Sequence, residues 1–181
     1  MKEISRKRLS SGFLKLDEVT YEKDGKIIVR EVVNRGDAVA ALLYNAKTEK
    51  YVFVKQFRPG ADKDLIEIIA GTMDVEGESA EDCIAREIQE ETGYVMTGCS
   101  LICSSFCSPG GTTEKMHIFQ AVTDGTKSGD GGGVGEEGIE IIEYTNSELI
   151  PILGILSEDL KTFIALVNEM EVGPLLTTSD I

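Results

Sequence analysis

The stretch from Ser79 to Gly93 constrains this chain most: it reads as a helix, and that helix cannot stand alone. Ser79 followed three residues later by Asp82 is a capping-box-like start, and Gly93 is a stop. Residues three and four apart on a helix are neighbours, so Glu87, Glu90 and Glu91 project from one face. Ile84 and Ile88 lie on the adjacent arc, which must be packed against a sheet. Three crowded carboxylates repel one another and oppose the helix unless something neutralises them. Hard cations would do so, because Mg²⁺ prefers carboxylate oxygens. Spacing alone favours the plainer reading, a solvated acidic face.

The sheet is written on both sides of this helix. Residues 13–22 and 26–33 alternate apolar and polar side chains and meet at Asp24-Gly25, a hairpin signal. Residues 38–45 and 51–58 read as a second strand pair around a turn at 46–50, and the apolar run 65–70 ends at Gly71. Strands are expected at 97–107 and 116–122 around the loop Ser108-Pro109-Gly110-Gly111, and again at 139–144. Between them, 123–138 holds Gly-Asp-Gly-Gly-Gly and two glutamates and reads as a mobile loop. Ser157 is expected to cap a closing amphipathic helix through about Met170, before a frayed tail after Pro174. Strands and helices alternate irregularly, which predicts a mixed α/β (α+β) sandwich rather than a regular βαβ series.

At 181 residues there is chain enough for one domain with a proper core. A net charge of −14 argues against non-specific nucleic-acid or anionic-membrane binding. A phosphate ester bound by so acidic a chain needs divalent cations or local arginines, although a merely solvated acidic surface explains the charge more simply. No run approaches the ~18 apolar residues that span a bilayer. The basic start lacks the apolar stretch of a signal peptide, so a cytoplasmic protein is the default. Cys99, Cys103 and Cys107 sit four apart and would share a strand face; without a CxxC pair or nearby His they read as buried, inert thiols. His117, the only histidine, reads as a packed or hydrogen-bonded strand residue.

Taken in register, Gly71, Glu78, Arg86, Glu87, Ile88, Glu90, Glu91, Gly93 and Tyr94 resemble the Nudix box, G-x5-E-x7-R-E-U-x-E-E-x-G-U with U bulky and apolar. One departure stands at the start, where six residues rather than five separate Gly71 from Glu78. The resemblance implies a Nudix-type α/β/α sandwich with a mixed sheet, in which Glu87, Glu90 and Glu91 are metal ligands with the Ala70 carbonyl. It implies that Glu91 serves catalysis, that Arg86 and Glu78 form an orienting ion pair, and that the cofactor is Mg²⁺, with Mn²⁺ as the alternative.

Features outside the box look like the ADP-ribose and nucleoside-diphosphate-sugar pyrophosphatase branch. Val54-Lys55-Gln56-Phe57-Arg58-Pro59 is similar to that branch's arginine-bearing strand end, and Leu65-Ile66-Glu67-Ile68-Ile69-Ala70-Gly71 to its approach to the box. Pro109 follows Gly93 by sixteen residues, as in that branch, and opens Pro109-Gly110-Gly111-Thr-Thr-Glu114. The resemblance implies substrate contacts from Arg58, Arg30, Glu67, Pro109, Gly110 and Glu114. It also implies a loop carboxylate, Glu137 or Glu136 with Glu137 favoured, acting as base or extra metal ligand; the alternative is a floppy acidic loop. Residues 1–36 are then an N-terminal β-hairpin extension that makes a homodimer, with residues 37–181 the hydrolase domain. Arg30 would reach substrate across that interface, while Arg35 reads equally as a surface residue. The implied activity is Mg²⁺-dependent hydrolysis of a nucleoside diphosphate sugar of the ADP-ribose, UDP-glucose or GDP-mannose type. A non-catalytic domain that binds such a ligand as a regulatory module is the competing expectation.

Overall fold

A computed structural model describes residues 1–133, 135 and 138–172 of the chain. It divides into two compact units, Met1–Ala38 with Ser105–Met116, and Val39–Ser104 with His117–Ile181.

The first unit is built on an antiparallel three-stranded sheet, β1 (Lys2–Ser11), β2 (Lys15–Lys23) and β3 (Lys26–Asn34), in that order. Asp24 and Gly25 have φ of 52° and 75° between the paired Lys23 and Lys26, the doubly left-handed turn that suits the strand twist. Strand β1 has no counterpart in the sequence expectations, because its ten residues are mostly polar and every one is exposed. It is held instead by charge: the buried Asp17 carboxylate of β2 accepts from Arg6 at 3.1 Å and from Arg8. Phe13 and Leu14, expected in β2, lie in the connection before it.

The second sheet contains β4 (Ala38–Asn45), β5 (Lys50–Arg58), β6 (Lys63–Glu67), β7 (Ile69–Thr72), β8 (Gly98–Phe106), β9 (Lys115–Thr123) and β10 (Glu140–Thr145). Five run in the order β10-β5-β4-β9-β8, while β6 pairs with β5 and β7 with β4. One edge of β5 follows β10 along Lys50–Lys55. The other changes partner, from β4 over residues 50–52 to β6 over 54–58. That change of partner frees the ends of β5 and β6 from the rest of the sheet.

Among the described residues three helices cover the sheet: α1 (Ala80–Thr92), α2 (Asn146–Leu156) and α3 (Leu160–Val172). Val52 and Val54 of β5 join Val39, Ala41 and Leu43 of β4 in one core with Cys83, Ile84 and Ile88 of α1. Alternation puts Tyr51 on the opposite face of β5, where its hydroxyl donates to the buried Glu169 of α3 at 2.5 Å. Helices α1 and α3 therefore lie on opposite faces, the expected α/β/α arrangement. Fully burying Ile84 and Ile88 contributes about 1.5–3 kcal/mol each before entropy is subtracted.

Two expectations are corrected. Ser157 does not start a helix; it is the C-cap of α2, its N–H bonded to the Leu153 carbonyl at 2.8 Å. Helix α2 escapes a reading by pattern because Pro151 and Gly154 lie within it, both ordinarily helix-breaking. Asp159 serves α3 instead, its carboxylate accepting from the Thr162 N–H at 3.0 Å. Cys99, Cys103 and Cys107 are half-buried rather than buried, and only Cys83 is enclosed. His117 is hydrogen-bonded as expected, its Nδ1 lying 2.7 Å from Ser104 Oγ. No helix of the described residues is long and apolar enough to cross a membrane.

Candidate active site

Helix α1 begins as its sequence dictates. Ser79 has an extended backbone and its hydroxyl accepts from the Asp82 N–H at 3.1 Å, with Glu81 and Asp82 acidic in the first turn. Gly93 ends it at φ 74°, with its N–H on the Gln89 carbonyl.

Arg86 is the hub of the helix's polar face. Its Nε and Nη2 grip Glu78 at 3.0 and 3.1 Å, a two-pronged pair with a carboxylate in the loop before the helix. Its Nη1 reaches Glu87 at 2.7 Å and Glu90 at 3.3 Å. Hydrogen bonding to Arg86 holds the Glu78 carboxyl below its usual range, and the Glu78 contact in turn raises Arg86. Beneath them, burial and then the Glu78 contact push the Cys83 thiol up to about 12, so it stays protonated.

Glu87 also lies on strand β7. A Cβ added to Gly71 would stand 1.9 Å from the Glu87 carboxyl carbon, so the carboxylate occupies the space that only glycine leaves. This places Gly71, next to Ala70, directly against the acidic helix. The extra residue before Glu78 is therefore absorbed in the loop after β7, which ends at Thr72. The ligands expected from the sequence, Glu87, Glu90, Glu91 and the Ala70 carbonyl, are all oxygen donors, the chemistry a hard divalent cation requires. Among the described residues no three acidic, Cys or His side chains stand close enough together to hold a metal ion. The donor types fit such a cation, while Arg86 draws Glu87 and Glu90 onto itself.

The glycine-rich stretch docks on the end of this same helix. Gly132 N–H donates to the Glu91 carbonyl at 2.8 Å, Gly133 N–H to that of Glu90 at 3.1 Å, and Ser128 N–H to that of Gly93 at 2.9 Å. Carbonyls that a helix end leaves without partners are thereby satisfied. The expectation of a mobile loop is corrected over this part, which is tied down by backbone bonds. Glu136 and Glu137 lie outside the described residues.

A second charged group lies across the antiparallel β5–β6 pair. Arg58 Nε lies 3.0 Å from both oxygens of Glu67, and its Nη2 is 2.5 Å from Oε2. Glu67 is 3% exposed and Arg58 36%, so a buried anchor holds a half-open guanidinium. Burial opposes the charge on Arg58, yet Glu67, with Glu91 and Asp159 adding to it, raises its pKa on balance. Lys161 of α3 also reaches Glu67 Oε2, at 2.9 Å. Nothing in the sequence singles out Lys161, since it lies 94 residues from the carboxylate it meets.

The remaining candidates fall in the other unit. Arg30 is exposed and donates to its neighbour's Val29 carbonyl at 2.8 Å. Arg35 pairs with Glu114 at 3.4 Å. Pro109 and Gly110 form an exposed turn, tied to β3 where Val33 N–H meets the Gly111 carbonyl at 2.8 Å.

A family model described as the NUDIX domain matches residues 34–159. A GDP-mannose pyrophosphatase of Cronobacter sakazakii is 37% identical over 177 residues, covering 90% of this chain and 91% of that protein. One from Escherichia coli O139:H28 is 37% identical over 162 residues, covering 83% and 84%. A solved structure described as an ADP compounds hydrolase superposes with a TM-score of 0.76 across 96% of both chains, at 18% identity. That likeness concerns the fold.

Proposed function

The chain belongs to the NUDIX family as a hydrolase, and from that premise we propose that it cleaves the diphosphate of a nucleoside diphosphate sugar in a divalent-metal-dependent reaction. The products are a nucleoside monophosphate and a sugar phosphate. GDP-mannose is the first substrate to test, with ADP-ribose and UDP-glucose beside it. One observation carries the reading: a single guanidinium, Arg86, ties Glu78 of the preceding loop to Glu87 and Glu90 of a helix in a box whose carboxylates are all present.

In this reading Glu87, Glu90 and Glu91, with the Ala70 carbonyl, hold Mg²⁺ or Mn²⁺. The bound cation supplies neutralisation of phosphoryl charge and a more acidic water. Arg86 and Glu78 keep the carboxylates in one arrangement, the work of groups that support metal ligands from behind. Arg58, anchored on Glu67, grips the diphosphate, and its charge is aimed where negative charge grows as water attacks phosphorus. A loop carboxylate, Glu137 or Glu136, orients or deprotonates that water. Two copies associate through the strands of residues 1–36, and Arg30 reaches substrate across that interface. The net charge of −14 makes these local cations necessary for an anionic substrate.

The test is incubation with Mg²⁺ and GDP-mannose, ADP-ribose, UDP-glucose and ADP-glucose, with nucleoside monophosphate as the readout. Release from at least one substrate is expected, abolished by EDTA and by Glu91→Gln in a chain that still unfolds cooperatively. Absence of release from all four at high enzyme concentration overturns the reading. Normal rates in Glu91→Gln overturn the placement of the metal site.

A further inference from the structure

We propose that Lys161 and Asp159, at the start of α3, are positioning residues that set how strongly Arg58 is presented to an anionic substrate, acting through Glu67. The inference rests on the pyrophosphatase reading of the site and adds a role for the C-terminal helix.

A buried carboxylate is costly unless its lone pairs are filled. Glu67 meets that condition with two cations, since Oε2 lies 2.5 Å from Arg58 Nη2 and 2.9 Å from Lys161 Nζ. With Arg58 alone, the pair would cancel and little positive field would remain for a diphosphate. Sharing Glu67 with Lys161 keeps the two-pronged geometry that aims the guanidinium, while cancelling less of its charge. Lys161 is 12% exposed, so its own charge acts in a region that water screens poorly.

Asp159 opposes this. Its Oδ1 lies 2.9 Å from Lys161 Nζ, competing with Glu67 for the ammonium. Its Oδ2 accepts from Thr162 N–H at 3.0 Å and from Thr162 Oγ1 at 2.6 Å. The same Thr162 Oγ1 accepts from the Ile68 N–H at 2.9 Å. Ile68 is the break between β6 and β7, where the backbone N–H looks outside the sheet for a partner. The first turn of α3 is thus fastened to Glu67 and Ile68 together, at the point where the strand breaks. Two residues further on is Ala70, the proposed backbone metal ligand.

The charges give the two residues opposite signatures, which a purely structural role would not. Removing the Lys161 cation leaves Arg58 cancelled by Glu67 and weakens the hold on substrate. Removing the Asp159 anion strengthens that hold, and asparagine at this position retains an oxygen for the Thr162 N–H and caps a helix as well as aspartate.

The experiment is steady-state kinetics at low salt on whichever panel substrate the wild-type chain cleaves, beginning with GDP-mannose. Lys161→Met is expected to raise KM about tenfold, or 1.4 kcal/mol, with kcat within about threefold of wild type. Lys161→Arg should restore KM, and Asp159→Asn should lower it about two- to threefold. Unchanged KM in folded Lys161→Met, or a loss confined to kcat, overturns the inference. A raised KM in Asp159→Asn overturns it too, and that variant decides the matter if Lys161→Met does not fold. A wild-type chain inert on every panel substrate removes the functional reading instead, and the inference with it.

Discussion

Gly71 has no left-handed φ, so its backbone would accept any residue; what excludes a side chain is the Glu87 carboxyl group, 1.9 Å from where a Cβ would sit. Gly71→Ala must therefore push Glu87 aside, and because that carboxylate ends a flexible side chain the fold can survive the change. Its expected signature is a thermal midpoint close to wild type with activity lowered about 10–100-fold, the loss typical when support for a metal ligand is removed. Thermal unfolding beside kcat checks this, and a fully active Gly71→Ala would remove Glu87 from the proposed metal site. Residue by residue, the box was legible because its members are near neighbours in sequence. The two-pronged Glu78–Arg86 pair is the outcome of that local register. Lys161 was not legible, because its meaning is a distance to Glu67 that the fold alone creates.

Among the elements, α1 is fixed at its C-terminal end by chain that its own pattern does not mention. The Ser79 cap and Gly93 stop were readable, but the docking of Gly131–Gly133 on its final turn was not. A glycine run in sequence reads as freedom, whereas here it permits close backbone approach. Gly131 has φ 74°, and a Cβ there would lie 2.5 Å from the Thr92 backbone carbon. Neither partner can give way, since both are main chain. Gly131→Ala is expected to cost about 1–3 kcal/mol from conformational strain, with a further loss as the loop lifts from the Glu90 and Glu91 carbonyls. Gly129→Ala, with open space and no left-handed φ, should be neutral. Denaturant unfolding of the pair measures the difference, and equal stabilities would mean that this docking does not hold the helix end. The same logic explains why α2 is hidden in the sequence: Pro151 and Gly154 are judged by local propensity, which the packed side chains Leu149 and Leu156 override.

At the scale of the molecule the two units are unequal in core. The sheet of the second unit encloses most of the buried hydrophobic residues, including Phe53, Ile69, Ile84, Ile88 and Phe119. In Met1–Ala38 with Ser105–Met116, the buried hydrophobic residues among those described are Val19 and Ala38. Ile4, Leu9, Phe13, Ile27 and Val29 of that unit are exposed. A three-stranded sheet with so small a core supplies little hydrophobic stabilisation of its own, and an edge strand open on both faces invites pairing with another chain. Both points support the proposed association of two copies through these strands. Sedimentation equilibrium at tens of micromolar should then give twice the 19.7 kDa of the chain. Ile27 and Val29 stand two apart on β3 and so share a face. Replacing both with lysine buries two charges in any interface made there and should shift the mass toward the monomer, with the second unit's unfolding transition retained. A wild-type chain that sediments as a monomer rules out the dimer, and with it any contribution of Arg30 to a neighbouring copy's substrate. A dimer unmoved by the double substitution would place the contact on another face.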